Sequence, residues 1–175
     1  MIGLKRCMDQ VPCLRPKEIG NDRLHLFDLG NLLPGHEMLV NVSIPIVSFL
    51  SKEYGQEASI IAQRILTDPE MRVLLPLLAS PSCCPQEVLQ ASYHCTYEVL
   101  LQSIFSADGN TMLQWNELVQ EYRRRLCEAG QHKARRAEMR GVYNALYSLR
   151  QKLEQLGLTI HSRKDGYYLS SVAPG

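Results

Sequence analysis

The stretch that decides the fold is residues 134–169, ARRAEMRGVYNALYSLRQKLEQLGLTIHSRKDGYYL. Its first part carries apolar residues at intervals of three and four, the period of an amphipathic helix. They are Val142, Ala145, Leu146, Leu149, Leu153 and Leu156. Gly157 ends this helix, because glycine readily adopts the left-handed conformation that follows many helices. Two alternating runs then flank Asp165-Gly166, a dipeptide typical of tight hairpins. The stretch therefore predicts a helix over about 134–156 and a β-hairpin over 158–169.

Helical signals also precede this stretch. Ile60, Ile61, Ile65 and Leu66 repeat at helical spacing and predict a helix over 57–66. Residues 38–50 are rich in Val and Ile but contain a proline, so they suit either an edge strand or a buried helix, of which we favour the helix. The shorter helices expected after them are 69–78, 85–91, 96–105 and 113–126.

These patterns predict a mainly α chain with a small β-hairpin. Residues 1–80 would form an irregular arm plus a helical region, serving as a scaffold, a dimerisation surface or part of a second helix-turn-helix unit. Residues 81–175 would form a winged helix, in which a helix-turn-helix is followed by a hairpin. That order lets an amphipathic helix enter a DNA major groove about 12 Å wide while the hairpin tip reaches an adjacent groove or the backbone.

Composition and charge favour a polyanion as the partner. The chain is 45% hydrophobic and 21% charged, which is typical of globular proteins, and it contains no run of eighteen uncharged apolar residues, so we expect no membrane segment. The net charge of +1 conceals an uneven distribution. Residues 121–164 hold eleven Lys and Arg against four Glu, a net +7, so the rest of the chain carries about −6.

Nothing in the sequence points to catalysis or a cofactor. The six cysteines include no C-x-x-C pair, and we interpret them as reduced thiols of a cytoplasmic protein. Cys83, Cys84, His94 and Cys95 lie close in sequence, but adjacent cysteines are awkward ligands for one tetrahedral ion, so we expect no metal. Walker, G-x-S-x-G and H-E-x-x-H motifs are all missing, and the protein is expected not to be an enzyme.

The end of the chain resembles the winged-helix effector domains of OmpR/PhoB-type response regulators. That family ends in V-x-x-x-I-x-x-L-R-K-K-L, a glycine-containing link and a hairpin of the form I-x-T-x-x-G-x-G-Y-x-L. Here Val142-x-x-x-Leu146-x-x-Leu149-Arg150-Gln151-Lys152-Leu153 precedes Gly157, and the hairpin runs from Ile160 to Leu169. The resemblance covers about 92–170, with 96–101 similar to the family's opening helix and 115–126 to its second.

This chain departs from the family in two respects. Its hairpin turn is one residue shorter, and the part before the winged helix is too short for a phosphoacceptor (receiver) domain and lacks that domain's alternating strands and helices. Control by phosphorylation is therefore not implied. The long basic link over 123–140 corresponds to a segment that touches DNA backbone or RNA polymerase in the family.

The resemblance implies a sequence-specific regulator of transcription that binds double-stranded DNA as a homodimer, with RNA polymerase as a further candidate partner. Base-reading residues would be Tyr143, Asn144, Tyr147 and Ser148. Phosphate-binding residues would be Arg135, Arg136, Arg140, Arg150, Lys152, Arg163 and Lys164. The chemistry suits these roles, because Asn pairs with the N6/N7 edge of adenine, and Arg and Lys neutralise phosphate.

Other interpretations of the same residues stay open at this point. Tyr143 and Tyr147 could pack on a neighbouring helix, Arg150 could pair with Glu154, and the hairpin charges could be inert. The main alternative function is a non-enzymatic module that docks on RNA polymerase or another regulatory complex, with tyrosines as interface anchors. DNA binding requires cations exposed along one continuous track, whereas protein docking would place the tyrosines in an apolar patch.

Overall fold

The computed structural model describes residues 17–18, 24–52, 55–105, 109–130 and 132–172. The N-terminal part forms one antiparallel sheet whose five strands follow one another in chain order. The strands are β1 (Lys17–Glu18), β2 (Leu24–Asp28), β3 (His36–Asn41), β4 (Ile46–Ser51) and β5 (Ser59–Ile65). Alternate residues point into the core, as the two-residue period of a strand requires. They include Phe27, Met38, Val40, Val47 and Phe49.

This sheet overturns the predicted fold class, because a helical region was expected where strands lie. The residues predicted as helices over 38–50 and 57–66 are rich in β-branched side chains, which pack well on a pleated surface. Residues 42–45 form the turn between β3 and β4, so the missing N–H of Pro45 breaks no ladder hydrogen bond. Ile60, Ile61 and Ile65 are 58%, 54% and 71% exposed on β5. Their helical spacing therefore did not correspond to the buried side of a helix.

Six helices follow among the described residues. They are α1 (Asp68–Ala79), α2 (Gln86–His94), α3 (Tyr97–Phe105), α4 (Gly109–Ala129), α5 (His132–Glu138) and α6 (Arg140–Glu154). The helix predicted over 134–156 is thus divided into α5 and α6 at Met139, which is fully buried. Helical hydrogen bonds still span this residue, since its N–H donates to the Arg135 carbonyl at 3.0 Å and its carbonyl accepts from Tyr143 at 2.9 Å.

The predicted hairpin is confirmed as β6 (Leu158–Arg163) and β7 (Gly166–Ser171), which pair antiparallel around a two-residue turn. Cys84 extends this ladder through two backbone hydrogen bonds with Tyr167, at 2.6 and 2.8 Å. The approach is so close that a Cβ added at Gly166 would lie 2.3 Å from the Cys84 carbonyl oxygen. Glycine is required here because any side chain would push β7 away from the backbone of Cys84.

Helix α6 lies against α1 and β6, and one hydrophobic cluster includes residues of the sheet, the helices and the hairpin. Helix α2 also approaches α6, since a Cβ at Gly141 would meet the Tyr93 hydroxyl oxygen at 2.7 Å. The helices likened to the family's first two, α3 and α4, instead pack on α1 and α2. The division of the chain at residue 80 stays a prediction.

Candidate nucleic-acid interface

The outward side of α6 presents a continuous polar stripe. Arg140, Asn144, Tyr147 and Gln151 are exposed at intervals of four, three and four residues, so they share one side of the helix. Tyr147 is 64% exposed. The opposite side is buried against the rest of the protein, which fixes the direction in which the stripe faces. Large amphipathic side chains are thus held on a rigid helix instead of a loop.

A groove with a volume of about 520 Å³ runs between α5 and α6. Its walls include Lys133, Arg136, Arg140, Tyr143 and Asn144. The neighbouring concavity, lined by His132, Arg135, Arg136 and Tyr143, continues it along α5. Three exposed cations and two hydrogen-bonding side chains in one groove suit a ligand that carries negative charge.

The hairpin tip carries a second cationic feature. Arg163 and Lys164 are exposed at the turn. The start of β7 is held near α6 through Tyr167, whose hydroxyl interacts with Tyr143, and burial raises the pKa of Tyr167 to about 12. The contact between these two tyrosines joins the start of β7 to α6.

Two of the predicted DNA-contacting residues face the scaffold instead. Ser148 Oγ donates to Glu70 Oε1 at 2.7 Å, and Lys152 Nζ donates to Glu70 Oε2 at 2.6 Å. Glu70 itself is 2% exposed and also accepts from the Thr67 N–H at 2.8 Å. Burial alone would raise the pKa of Glu70, but the hydrogen bonds from Lys152, Ser148 and Thr67 outweigh it and hold this pKa below 4.5.

Two predicted phosphate-binding arginines are also engaged within the protein. Arg150 Nε donates to the Ile160 carbonyl at 2.8 Å and so ties α6 to β6, while Glu154, its suggested partner, accepts from Thr159. Arg135 donates to Gln86 Oε1 at 2.8 and 3.1 Å. Both arginines are half-buried, and their hydrogen bonds give each of them a structural role within the protein.

Part of the basic charge of 121–164 is neutralised on α4. Arg123 pairs with Glu87 at 3.0 Å, and Arg124 lies 2.6 Å from both Glu121 and Glu128. Within the described ranges, Lys133, Arg136, Arg140, Arg163 and Lys164 are exposed and form no ion pair with another described residue. We call these five residues the cationic track.

Neither Lys133, which lines the groove, nor Glu70, which binds Ser148 and Lys152 of α6, was predicted as a site residue. The pattern Thr67-x-x-Glu70 did carry a signal, because Ser/Thr followed by Glu at the third position forms a capping box, which is present here. The second role of Glu70 had no sequence signal, since Lys152 is 82 positions away.

The cysteines and the search for metal sites give separate results. Cys83 is disulfide-bonded, so the expectation of six reduced thiols is wrong for this residue, whereas Cys84, Cys95 and Cys127 are free. Cys7 and Cys13 lie outside the described residues. Across the described ranges, His, Cys, Asp and Glu side chains form no group of three that could hold a metal ion. Within the same ranges, none of the helices has the length and apolar character needed to cross a membrane.

No family model, curated protein or solved structure matches the chain. The resemblance to OmpR/PhoB-type domains therefore depends only on the residues quoted for it.

Proposed function

We propose that this protein is a transcription regulator that binds double-stranded DNA in a sequence-specific manner. The observation that carries the proposal is the cationic track, of which Lys133, Arg136 and Arg140 line the groove between α5 and α6 while Arg163 and Lys164 are exposed at the hairpin tip. A helix with this stripe fits a major groove, while cations beside it meet the phosphates that flank the groove. The resemblance of 142–169 to OmpR/PhoB-type domains supports the same function.

The hydrogen bonds and exposure of the candidate residues lead us to assign their roles differently from the sequence prediction. We assign base reading to Asn144 and Tyr147, with Gln151 next to them on the stripe. Phosphate binding falls to the five residues of the cationic track. Tyr143 lines the groove between α5 and α6 from its half-buried position. The remaining candidates bind other parts of the protein and are not assigned to DNA. Ser148, Arg150 and Lys152 hold α6, and Arg135 ties α5 to Gln86.

Fluorescence anisotropy with a mixed-sequence duplex of about 30 base pairs, measured at several salt concentrations, tests this function. Five phosphate contacts predict a log–log slope near −4.5, at about 0.9 for each contact. Arg140→Ala should lower the slope by about one contact. Arg124→Ala is the matched control, because this arginine is also exposed on a helix but is already paired with two glutamates. A wild-type protein that does not bind at low salt would contradict the proposal.

Specificity has its own variant. Asn144→Ala should bring the affinities for preferred and unrelated duplexes closer together by about 1–3 kcal/mol, because it removes an adenine-reading amide but no charge. Its salt slope should match that of the wild type. Equal weakening on every duplex would place Asn144 at a phosphate instead of a base.

Protein docking is the second candidate, and the exposed Tyr147 beside Arg140 favours it, because these residue types anchor many protein interfaces. In that case the duplex experiment gives no binding, and a pull-down with RNA polymerase retains the protein. Tyr147→Ala should then abolish retention. The duplex experiment thus distinguishes the two candidate functions, and neither requires enzymatic activity or a cofactor.

We further propose a cytoplasmic homodimer, since paired half-sites are the usual targets of dimeric DNA-binding proteins. Strand β5 is an edge strand of the sheet and carries exposed isoleucines, both of which favour association of chains. Ile65→Lys should therefore shift the protein from dimer to monomer in sedimentation velocity. The disulfide at Cys83 is unusual for a reducing compartment, so cell fractionation is the test of location.

A further inference from the structure

The outer surface of the hairpin carries a stacked group of three side chains. The guanidinium carbon of Arg163 lies 4.1 Å from the centroid of the Tyr168 ring. Tyr168 pairs across the strands with His161, and their ring centroids are 5.2 Å apart with 28° between the planes. We call these three residues the hairpin stack. The neighbouring residues Tyr167 and Leu169 are buried on the other side, so the stack faces outward.

We propose that Tyr168 is a positioning residue that holds Arg163 in the orientation in which it meets DNA. The inference rests on the proposed function. An arginine on a hairpin tip samples many rotamers, and ordering such a side chain on binding reduces affinity. Stacking on Tyr168 orders the guanidinium before DNA arrives. The contact uses the flat surface of the guanidinium, so N–H groups at its edge stay available for phosphate or a base.

The two adjacent tyrosines of β7 therefore have different tasks. Tyr167 is 8% exposed and packs in the hydrophobic cluster. Tyr168 is half-exposed, and its ring contacts are with residues of the same hairpin, His161 and Arg163. Substitution of Tyr168 should therefore change the geometry of the hairpin tip more than the packing of the core.

A double-mutant cycle on DNA binding separates positioning from charge. Tyr168→Leu and Arg163→Lys should each weaken binding about three- to five-fold, because either change removes the stack and keeps the charge. Tyr168→Phe, which retains the ring, should bind within about two-fold of wild type. The double variant should bind about as tightly as the weaker single variant, because both remove the same contact. Arg163→Ala should lower the salt slope by about 0.9, whereas Tyr168→Leu should leave it unchanged.

The stack can also be observed without DNA. In the free protein, the side-chain protons of Arg163 should resonate upfield in NMR spectra, owing to the ring current of Tyr168. This shift should disappear in Tyr168→Leu and persist in Tyr168→Phe. His161→Ala is the matched control, because it removes a neighbouring ring and leaves the contact between Arg163 and Tyr168 in place.

The outcomes distinguish this inference from the function on which it rests. If the wild type binds and Tyr168→Leu binds as tightly, the positioning role is overturned while DNA binding stands. Additive effects in the cycle, or equal weakening by Tyr168→Phe, would overturn it in the same way. If the wild type does not bind DNA at low salt, the function and the positioning role fail together.

Discussion

Replacement of Glu70 by alanine should destabilise the protein by about 3 kcal/mol. The change leaves the ammonium of Lys152 without its carboxylate, removes an acceptor from Ser148 and breaks the capping box at Thr67. The Thr67 hydroxyl still accepts from the N–H of residue 70, so loss of the Glu70 half of the capping box costs up to about 1 kcal/mol. A hydrogen bond to a charged group contributes about 1.5–3 kcal/mol. The Lys152 side chain is 31% exposed and can turn to water, so we expect a loss at the lower end of the roughly 3–5 kcal/mol typical of fully buried pairs.

Urea unfolding followed by circular dichroism measures this difference. The matched control is Asp68→Ala, which removes the other acidic residue of the same helical turn. The Asp68 side chain is 57% exposed and pairs with Arg72 on the surface, so its loss should cost less than about 1 kcal/mol. In a cycle with Lys152→Met, coupling between Glu70 and Lys152 should exceed about 1 kcal/mol. Equal stabilities of the Glu70 and Asp68 variants, or a coupling near zero, would refute the reasoning.

The contribution of Glu70 should also depend on pH. Its pKa in the folded protein is lowered below 4.5, so the folded state binds the proton less tightly than the unfolded chain. The stabilisation is therefore complete at pH values above 4.5 and decreases as pH falls through the lowered pKa of the folded state. The stability difference between wild type and Glu70→Gln should shrink between pH 6 and pH 3. A difference that stays constant over this range would contradict the assignment.

Two further substitutions test the packing around the interface. Gly166→Ala should destabilise the protein by more than about 2 kcal/mol in thermal unfolding, because its Cβ would lie 2.3 Å from the Cys84 carbonyl oxygen. Gly109→Ala serves as the control, because a Cβ at Gly109 would have no atom within 4 Å. Arg123→Ala should cost about 1–3 kcal/mol in urea unfolding, because its carboxylate partner is, like Arg123, only 18% exposed; Arg124→Ala, in exposed pairs, should cost about 0.5 kcal/mol. Equal losses at Gly166 and Gly109 would contradict the role of close packing, and equal losses at Arg123 and Arg124 would contradict the role of burial.

The sequence by itself determined the elements at the end of the chain. The apolar residues from Val142 to Leu153 recur at the helical period over about three turns. The Asp165-Gly166 signal lies within one residue of the turn between β6 and β7, which is formed by residues 164 and 165. Both signals are local, because hydrogen bonds within a helix and across a tight hairpin join residues close in sequence. The exposure of Asn144 and Tyr147 followed from this period, whereas Ser148 and Lys152, also predicted on the outward side, contact Glu70.

Only the tertiary structure decided the N-terminal sheet and which cations are exposed without a partner. Strand β5 pairs with β4 over separations of 8 (Ser51 and Ser59) to 19 residues (Ile46 and Ile65), which the spacing within a single segment does not reveal, so pairing overrode the helical spacing of Ile60 and Ile65. Lys152 and Arg163 both carry a positive charge, which is all that the sequence shows of their availability. In the structure, Lys152 is held by the buried Glu70, whereas Arg163 is exposed next to the hairpin turn. A charge is available to a ligand only where the fold supplies no nearer partner, and contacts between distant segments settle that.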